Sequence, residues 1–138
     1  MLEKYYLDTS IWMDLYENRK GYNNEPLGDY ALKLLILIKK KRAPLIISDI
    51  LINELEMNYS VEEINGMMKP FENNTEKIIT TKEQRDDAEK IAKERKIPRG
   101  DVLHAVLTRD YHLILVTRDK HFRVLEDICE HHKPEDFI

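Results

Sequence analysis

The sequence predicts an α/β protein, a three-layer α/β/α sandwich around a mostly parallel sheet of roughly five strands. Short apolar runs alternate along the chain with segments of helical periodicity, which is the pattern of strands joined by helices. The run Leu113–Val116 is apolar without alternation, as expected of a strand covered on both faces of a parallel sheet. With 138 residues and 42% hydrophobic side chains, the chain fits a single domain over residues 1–138.

The first third of the chain alternates between strands and amphipathic helices. An aromatic and aliphatic run at 5–7 predicts a strand, and the spacing of Ile11, Trp12 and Leu15 predicts the helix that follows. Gly, Asn and Pro in a polar segment predict an exposed loop. The predicted elements are a strand at 5–7, a helix after Asp8, a loop at 17–28, a helix at 29–42 ended by Pro44, and a strand at 45–47.

Capping residues define the helices of the remaining chain. Side chains of Ser and Thr accept hydrogen bonds at helix N-termini, and three predicted helices begin in this way, at Ser48, at Ser60 and at Thr80 or Thr81. The predicted elements are helices at 49–58 and from 60, a loop at 70–74, a weak strand at 78–79, helices ending near 96 and opened by Asp101, a strand at 113–116, a helix from Phe122 to Ile128, and an edge strand within 132–138.

The composition limits the compartment and the partners. A single cysteine, Cys129, rules out an internal disulfide and suits a reducing cytosol. The longest aliphatic run, Leu34–Ile38, is too short to cross a bilayer, and the N-terminus lacks the pattern of a signal peptide. We therefore expect a cytoplasmic protein without a membrane partner. The net charge of −4 argues against a nucleic-acid partner, but acids gathered around a cation would reverse the local sign.

Four acidic residues stand out by their predicted positions. Asp8 and Asp119 follow strands, and Asp101 opens a helix. Ligands of open α/β sheets bind beyond the carboxyl ends of the strands, so we expect these side chains to meet at one sheet edge. Glu54 borders the buried side of its helix, whereas Glu56 points to water, and the choice between them depends on that helix face.

Clustered carboxylates repel one another, and burying them as anions is costly. Mg²⁺ or Mn²⁺ would compensate this charge, because these ions prefer oxygen ligands and retain bound waters. One such ion lowers the pKa of a bound water to make a nucleophile, and a second steadies the leaving oxygen in an in-line phosphoryl displacement, so no side-chain nucleophile is required. The sequence has no Gly-rich phosphate loop and no paired cysteines for zinc, which makes both of those sites poor alternatives.

Four motifs in order along the chain together resemble the PIN domain. They are LDTS at 7–10, NEL around Glu54, GDVLHA at 100–105 and VTRDKHF at 116–122. The resemblance implies a metal-dependent endoribonuclease that hydrolyses RNA phosphodiester bonds, and short members of the family include the toxins of VapBC-type toxin–antitoxin modules. It also implies an RNA substrate, a homodimer and, in a toxin, an antitoxin protein that blocks the acidic pocket.

The same resemblance assigns roles to individual residues. The implied catalytic and metal-binding residues are Asp8, Glu54, Asp101 and Asp119. We expect Asp8 and Asp101 to be the principal ligands of Mg²⁺ or Mn²⁺, with Glu54 and Asp119 binding directly or through water. The hydroxyls that fall where the family often supplies supporting hydrogen bonds are those of Thr9, Ser10 and Thr117. His104, one turn after Asp101, is either a residue that positions water or phosphate or a structural histidine.

Simpler interpretations and other functions stay open at this point. Asp8 and Asp119 are also suitable helix caps, Asp101 a first-turn acid facing a helix dipole, and Glu54 a surface charge. A haloacid-dehalogenase-like phosphohydrolase also places an Asp after its first strand, but it needs a second acid where this chain has Ser10. A non-catalytic PIN-like module would only bind RNA or protein, and the retention of four mutually repelling acids argues against it.

Overall fold

The structure, a computed structural model, describes residues 3–138, and residues 1 and 2 of the predicted domain range 1–138 lie outside it. The strands are Tyr5–Leu7 (β1), Leu45–Ser48 (β2), Thr75–Ile78 (β3), Ile114–Val116 (β4) and His131–His132 (β5). The α-helices are Thr9–Glu17 (α1), Leu27–Lys41 (α2), Asp49–Glu56 (α3), Val61–Met68 (α4), Lys82–Arg95 (α5) and Arg99–Tyr111 (α6). Short 3₁₀ helices cover Lys69–Asn74, Lys120–Leu125 and Pro134–Asp136.

Within residues 3–138, the five strands form one sheet in the order β3-β2-β1-β4-β5, and every pairing is parallel. The strand β1 lies at the centre, with Tyr5 aligned with Leu45 of β2 and with Ile114 of β4. This arrangement confirms the predicted parallel, five-stranded α/β fold. It also brings the carboxyl ends of β1, β2 and β4 to the same edge of the sheet.

The central strand is covered on both faces. Successive residues of a strand point to opposite faces, and Tyr5, Tyr6 and Leu7 are all at most 1% exposed. The hydroxyl of Tyr5 accepts a hydrogen bond from Lys41 in α2, whereas the hydroxyl of Tyr6 lies 2.7 Å from Nδ1 of His104 in α6. Since these two tyrosines point to opposite faces, α2 and α6 lie on opposite sides of the sheet, as the three-layer prediction requires.

The predicted helix caps are present. Ser48 accepts from the backbone N–H of Leu51, and Ser60 forms a capping box. Of the two alternatives for α5, Thr81 is the cap, and Thr80 instead hydrogen-bonds Asp49. In the described part of the chain, no helix is both long and apolar enough to span a membrane.

Several predicted boundaries are wrong. The helix α2 begins at Leu27 rather than at 29, the third strand covers Thr75–Ile78 rather than 78–79, and the predicted loop at 70–74 lies in a 3₁₀ helix. The helix predicted from Phe122 to Ile128 is one 3₁₀ segment, Lys120–Leu125, because the chain must reach β5 within a few residues. The predicted edge strand is limited to His131–His132, since Pro134 has no N–H to continue the ladder.

Candidate active site

The candidate site lies at the carboxyl ends of the central strands. Asp8 directly follows β1, and Asp119 lies just beyond β4. The backbone N–H of Asp8 donates to the carbonyl of Val116 over 3.1 Å, so the two strand ends are held side by side. Asp101 occupies the first turn of α6, which begins beside this edge. The structure therefore gathers these three acids where the sequence pattern predicts them.

Asp8 is buried, at 4% exposure, and both of its carboxylate oxygens accept hydrogen bonds. Oδ1 accepts from the backbone N–H of Ser10 over 3.1 Å and from the Ser10 hydroxyl over 2.6 Å. Oδ2 accepts from the hydroxyl of Thr117. Burial raises the pKa of the Asp8 carboxyl, although the charge of His104 and the two hydroxyl groups oppose this effect. Asp8 does cap α1, but the cap uses Oδ1 alone.

Glu54 extends from α3 into the site and is held by two partners. Its Oε1 accepts from the hydroxyl of Thr9 over 2.7 Å and lies 2.5 Å from Nε2 of His104. The other ring nitrogen of His104 lies 2.7 Å from the hydroxyl of Tyr6, which is 2.6 Å from Oγ of Ser48. Both nitrogens of His104 are thus engaged, and this buried chain of hydrogen bonds fixes the Glu54 side chain.

The same contacts set the charge of Glu54. Burial alone would raise its pKa, but the hydrogen bond and charge of His104, together with the hydroxyl of Thr9, lower it. Burial alone would lower the pKa of His104, yet Glu54 and the neighbouring acids raise it. The Glu54 side chain is one-third exposed at 33%, whereas Glu56 is exposed. The structure thus places Glu54, and not Glu56, against the other acids.

Gly100 allows Glu54 to approach the start of α6. A Cβ atom at position 100 would lie 2.8 Å from Oε2 of Glu54, closer than real Cβ contacts allow. The glycine of the GDVLHA motif therefore has a steric role, because a side chain there would displace the Glu54 carboxylate from its present position. This contact links the Glu54 segment to the Asp101 segment.

Asp101, Asp119 and His121 form a compact group whose ligand atoms all lie within 4.8 Å of one another. Nδ1 of His121 lies 3.0 Å from Oδ2 of Asp101 and 2.8 Å from Oδ1 of Asp119. Burial, followed by the charge of Asp119, raises the pKa of Asp101 to about 6. Asp8 and Glu54 lie outside this compact group and adjoin it through their charges and through the Gly100 contact.

The sequence alone does not indicate the roles of two further side chains near the site. His121 was not selected, although its place two residues after Asp119 was the available signal. Arg118 has no assigned role within the motif VTRDKHF, but its guanidinium is largely buried between Asp14 of α1 and Glu135. Its Nε donates to Asp14 over 3.2 Å, so Arg118 ties the loop between Thr117 and Asp119 to α1.

The donors at this edge fit a divalent cation. Oδ2 of Asp101 and Nδ1 of His121 are buried and, among the described residues, neither has a hydrogen-bond partner. Buried polar atoms without partners are rare in proteins, and an ion is a standard reason for them. Carboxylate oxygens are the ligands that both Mg²⁺ and Mn²⁺ prefer. Asp119, which also caps the following 3₁₀ helix, contributes its carboxylate to the same cleft.

Comparisons with known proteins agree with this fold. A chain in the crystal structure of VapBC2 from Rickettsia felis, bound to a DNA fragment from the VapBC2 promoter, superposes with a TM-score of 0.64 at 19% identity, covering 93% of this chain and 98% of that chain. PAE2754 from Pyrobaculum aerophilum superposes with a TM-score of 0.58 at 17% identity, covering 98% and 86%. No curated protein sequence matches the chain.

The two solved structures are too distant in sequence to show more than a shared fold. The family comparison goes further, because the model described as the PIN domain matches residues 5–128 and so includes all four predicted acids and His121. The chain belongs to the PIN-domain family, whose members are generally nucleases.

Proposed function

We propose that this protein is a Mg²⁺- or Mn²⁺-dependent endoribonuclease and the toxin of a toxin–antitoxin pair. One observation carries the proposal: four carboxylates from separate segments, Asp8, Glu54, Asp101 and Asp119, line one edge of the sheet. At that edge the pKa values of Asp8 and Asp101 are raised, so ionising these groups costs free energy unless a cation is present. Because the acids repel one another and are costly to ionise without a cation, their presence together supports a metal-binding function.

The residues have distinct roles in this proposal. Asp101 and Asp119 are the principal ligands in place of the expected pair Asp8 and Asp101, because Asp119 and not Asp8 lies in one compact group with Asp101. Asp8 and Glu54 bind the cation directly or through water. A bound Mg²⁺ or Mn²⁺ supplies a lowered pKa for water and stabilises charge on phosphate oxygens. The protein groups orient these ligands: Ser10 and Thr117 fix the Asp8 carboxylate, and Thr9 and His104 fix that of Glu54. Preorganised ligands need no rearrangement when substrate arrives.

Exposed basic side chains flank the cleft and support a phosphate-containing substrate. Arg99 at the start of α6 and Lys120 after Asp119 are both on the surface. They adjoin the site in sequence, Arg99 two residues before Asp101 and Lys120 directly after Asp119, and exposed cations of this kind bind phosphate groups. The negative net charge of the chain is compatible with this substrate, because several of the acids belong to the cation site.

The toxin assignment is supported by the likeness to a chain of the VapBC2 complex, and it carries two partner predictions. The first partner is an antitoxin that places a basic side chain among the four carboxylates. The second is another copy of this chain, for which exposed Leu32 and Ile36, at 42% and 52% exposure on α2, are suitable apolar contacts. Growth assays with a co-expressed neighbouring gene test the antitoxin. Light scattering tests the association of two copies of this chain.

Cleavage of labelled RNAs with Mg²⁺, Mn²⁺ or EDTA tests the nuclease proposal. Asp8→Asn is the test variant, and Asp86→Asn is its matched control, because Asp86 is exposed on α5 in an ion pair with Lys82. We expect cation-dependent cleavage by the wild type and Asp86→Asn, and its loss in Asp8→Asn. Full activity of Asp8→Asn, or activity in EDTA, would refute the proposal.

The same experiment separates the haloacid-dehalogenase-like alternative. That mechanism transfers phosphate to an aspartate after the first strand, so an aspartyl-phosphate would accumulate on Asp8 and be visible by mass spectrometry. In this structure the position two residues after Asp8 is Ser10, whose hydroxyl donates to Asp8 instead of supplying a second acid. We therefore expect no phosphorylated protein under any of the cleavage conditions.

A further inference from the structure

We infer that Nδ1 of His121 is a direct ligand of the cation, and that this nitrogen makes the site prefer Mn²⁺ to Mg²⁺. The inference rests on the proposed function, because it concerns the same metal. It adds a nitrogen donor to a set that the sequence motifs predict to be purely carboxylate. It also commits the protein to one of the two metals that the proposed function leaves open.

The distances around His121 match those of ligands that share an ion. Two neighbouring ligands of an octahedral ion, each about 2.1 Å from the metal, lie about 3.0 Å apart. Nδ1 of His121 is 3.0 Å from Oδ2 of Asp101 and 2.8 Å from Oδ1 of Asp119. The imidazole nitrogen thus already has the spacing of a shared ligand from both carboxylates, and the three groups offer ligand atoms that all lie within 4.8 Å of one another.

These short contacts are not hydrogen bonds. Both Nδ1 of His121 and Oδ2 of Asp101 lack a hydrogen-bond partner among residues 3–138 despite their proximity, so the imidazole nitrogen is not aligned with either oxygen. For neighbouring ligands of an octahedral ion, the nitrogen lone pair is directed about 45° away from the adjacent oxygen, too oblique for a good hydrogen bond. Close approach with poor alignment is therefore what a shared metal requires, whereas a hydrogen bond would align the two groups.

The backbone holds His121 in this place. Its N–H donates to Oδ1 of Asp119 over 2.9 Å, and the N–H of Asp119 donates to the hydroxyl of Thr117 over 3.0 Å. This turn fixes the position from which the His121 ring reaches the cleft. The side chain remains 41% exposed, so it can bind a metal without unfolding its surroundings. His104, the other histidine at the site, has both nitrogens engaged by Tyr6 and Glu54 and is not a rival ligand.

A nitrogen ligand changes the preference among divalent ions. Mg²⁺ is bound mainly by oxygen, whereas the affinity of mixed nitrogen and oxygen sites rises from Mn²⁺ towards the later transition metals. Losing one imidazole should therefore weaken Mn²⁺ binding by about tenfold and Mg²⁺ binding by less than about threefold. The ratio of the Mn²⁺ affinity to the Mg²⁺ affinity therefore shows whether His121 is a ligand.

The first test measures Mn²⁺ and Mg²⁺ binding by isothermal titration calorimetry, without RNA, at pH 7.5. The test variant is His121→Ala, and the matched control is His112→Asn, because His112 is exposed at the end of α6 with φ of 54°, a conformation that Asn tolerates. We expect only His121→Ala to lose the preference for Mn²⁺. Unchanged or tighter Mn²⁺ binding by His121→Ala would overturn the inference, since tighter binding would mean that the imidazole competes with the metal.

The second test detects the nitrogen itself. Electron spin echo envelope modulation of Mn²⁺ bound to the wild-type protein should show coupling to an imidazole ¹⁴N, and His121→Ala should abolish it while retaining some Mn²⁺. Mn²⁺ bound without ¹⁴N coupling would overturn the ligand assignment and leave the nuclease proposal standing. Absence of any Mn²⁺ or Mg²⁺ binding by the wild type would overturn both.

Discussion

Asp101→Asn should stabilise the metal-free protein at neutral and alkaline pH. Asparagine has nearly the same shape as protonated aspartate but cannot ionise, so the substitution removes the charge that burial and Asp119 make unfavourable. The pKa of Asp101 rises from 3.8 to about 6 on folding, which corresponds to about 3 kcal/mol at 1.36 kcal/mol per tenfold change in proton affinity. Its side chain is only 13% exposed, so solvent screening reduces this value little.

The pH dependence has a defined sign. Because the pKa of Asp101 is higher in the folded state, its protonated form stabilises the wild type below about pH 4, and that contribution is lost as the pH rises through 6. The stability difference between Asp101→Asn and wild type should therefore be small at pH 4 and reach about 3 kcal/mol at pH 8. This difference raises Tm by about 9 °C, at about 3 °C per kcal/mol for a chain of this size.

Urea denaturation followed by circular dichroism in EDTA, at pH 4.5, 6 and 8, measures this effect, with Asp86→Asn as the exposed control. Saturating Mn²⁺ should reverse the order, because the wild type gains binding free energy that Asp101→Asn loses. A stability difference that does not grow with pH, or an Asp101→Asn variant less stable than wild type at pH 8 in EDTA, would refute the idea that these acids repel one another in the absence of metal.

Three further substitutions test how the site is supported. Gly100→Ala should lower RNA cleavage about tenfold or more by displacing the Glu54 carboxylate, while changing the free energy of unfolding by no more than about 1 kcal/mol; equal activity would refute the steric role. Arg118→Met should destabilise by about 3 kcal/mol in urea denaturation by leaving Asp14 buried without its partner, and adding Asp14→Leu should recover most of the loss; additive effects would contradict this. His104→Ala should cost about 3 kcal/mol in the same assay, because it empties a buried position and breaks two hydrogen bonds; a cost below about 1 kcal/mol would show that the hydrogen-bond chain does not support the fold.

Much of the fold could be predicted because local signals agreed with it. The apolar run Leu113–Val116 and the caps Ser48, Ser60 and Thr81 indicate their elements through interactions within a few residues. The errors occur at elements whose ends are set by contacts with distant parts of the chain. The distance left before β5 shortened the last helix to a 3₁₀ segment, and Pro134 ended the final strand after two residues.

In the candidate site too, some features could be predicted from the sequence and others depend on long-range contacts. The positions of Asp8 and Asp119 after strands follow from topology alone, because parallel strands end at a common edge. The role of Gly100 depends on where the Glu54 carboxylate comes to rest, and no local pattern specifies that contact. The roles of His121 and Arg118 could not be predicted for a similar reason. Their partners lie on other elements, and only the folded chain shows which charges they face.

Anomalous diffraction from crystals equilibrated with saturating Mn²⁺ tests directly whether the acids and His121 bind one cation. We expect a manganese peak about 2.2 Å from Oδ2 of Asp101, from a carboxylate oxygen of Asp119 and from Nδ1 of His121, with Asp8 and Glu54 contacting the ion directly or through ordered water. A manganese peak elsewhere on the protein, or no peak in this cleft at saturation, would contradict it.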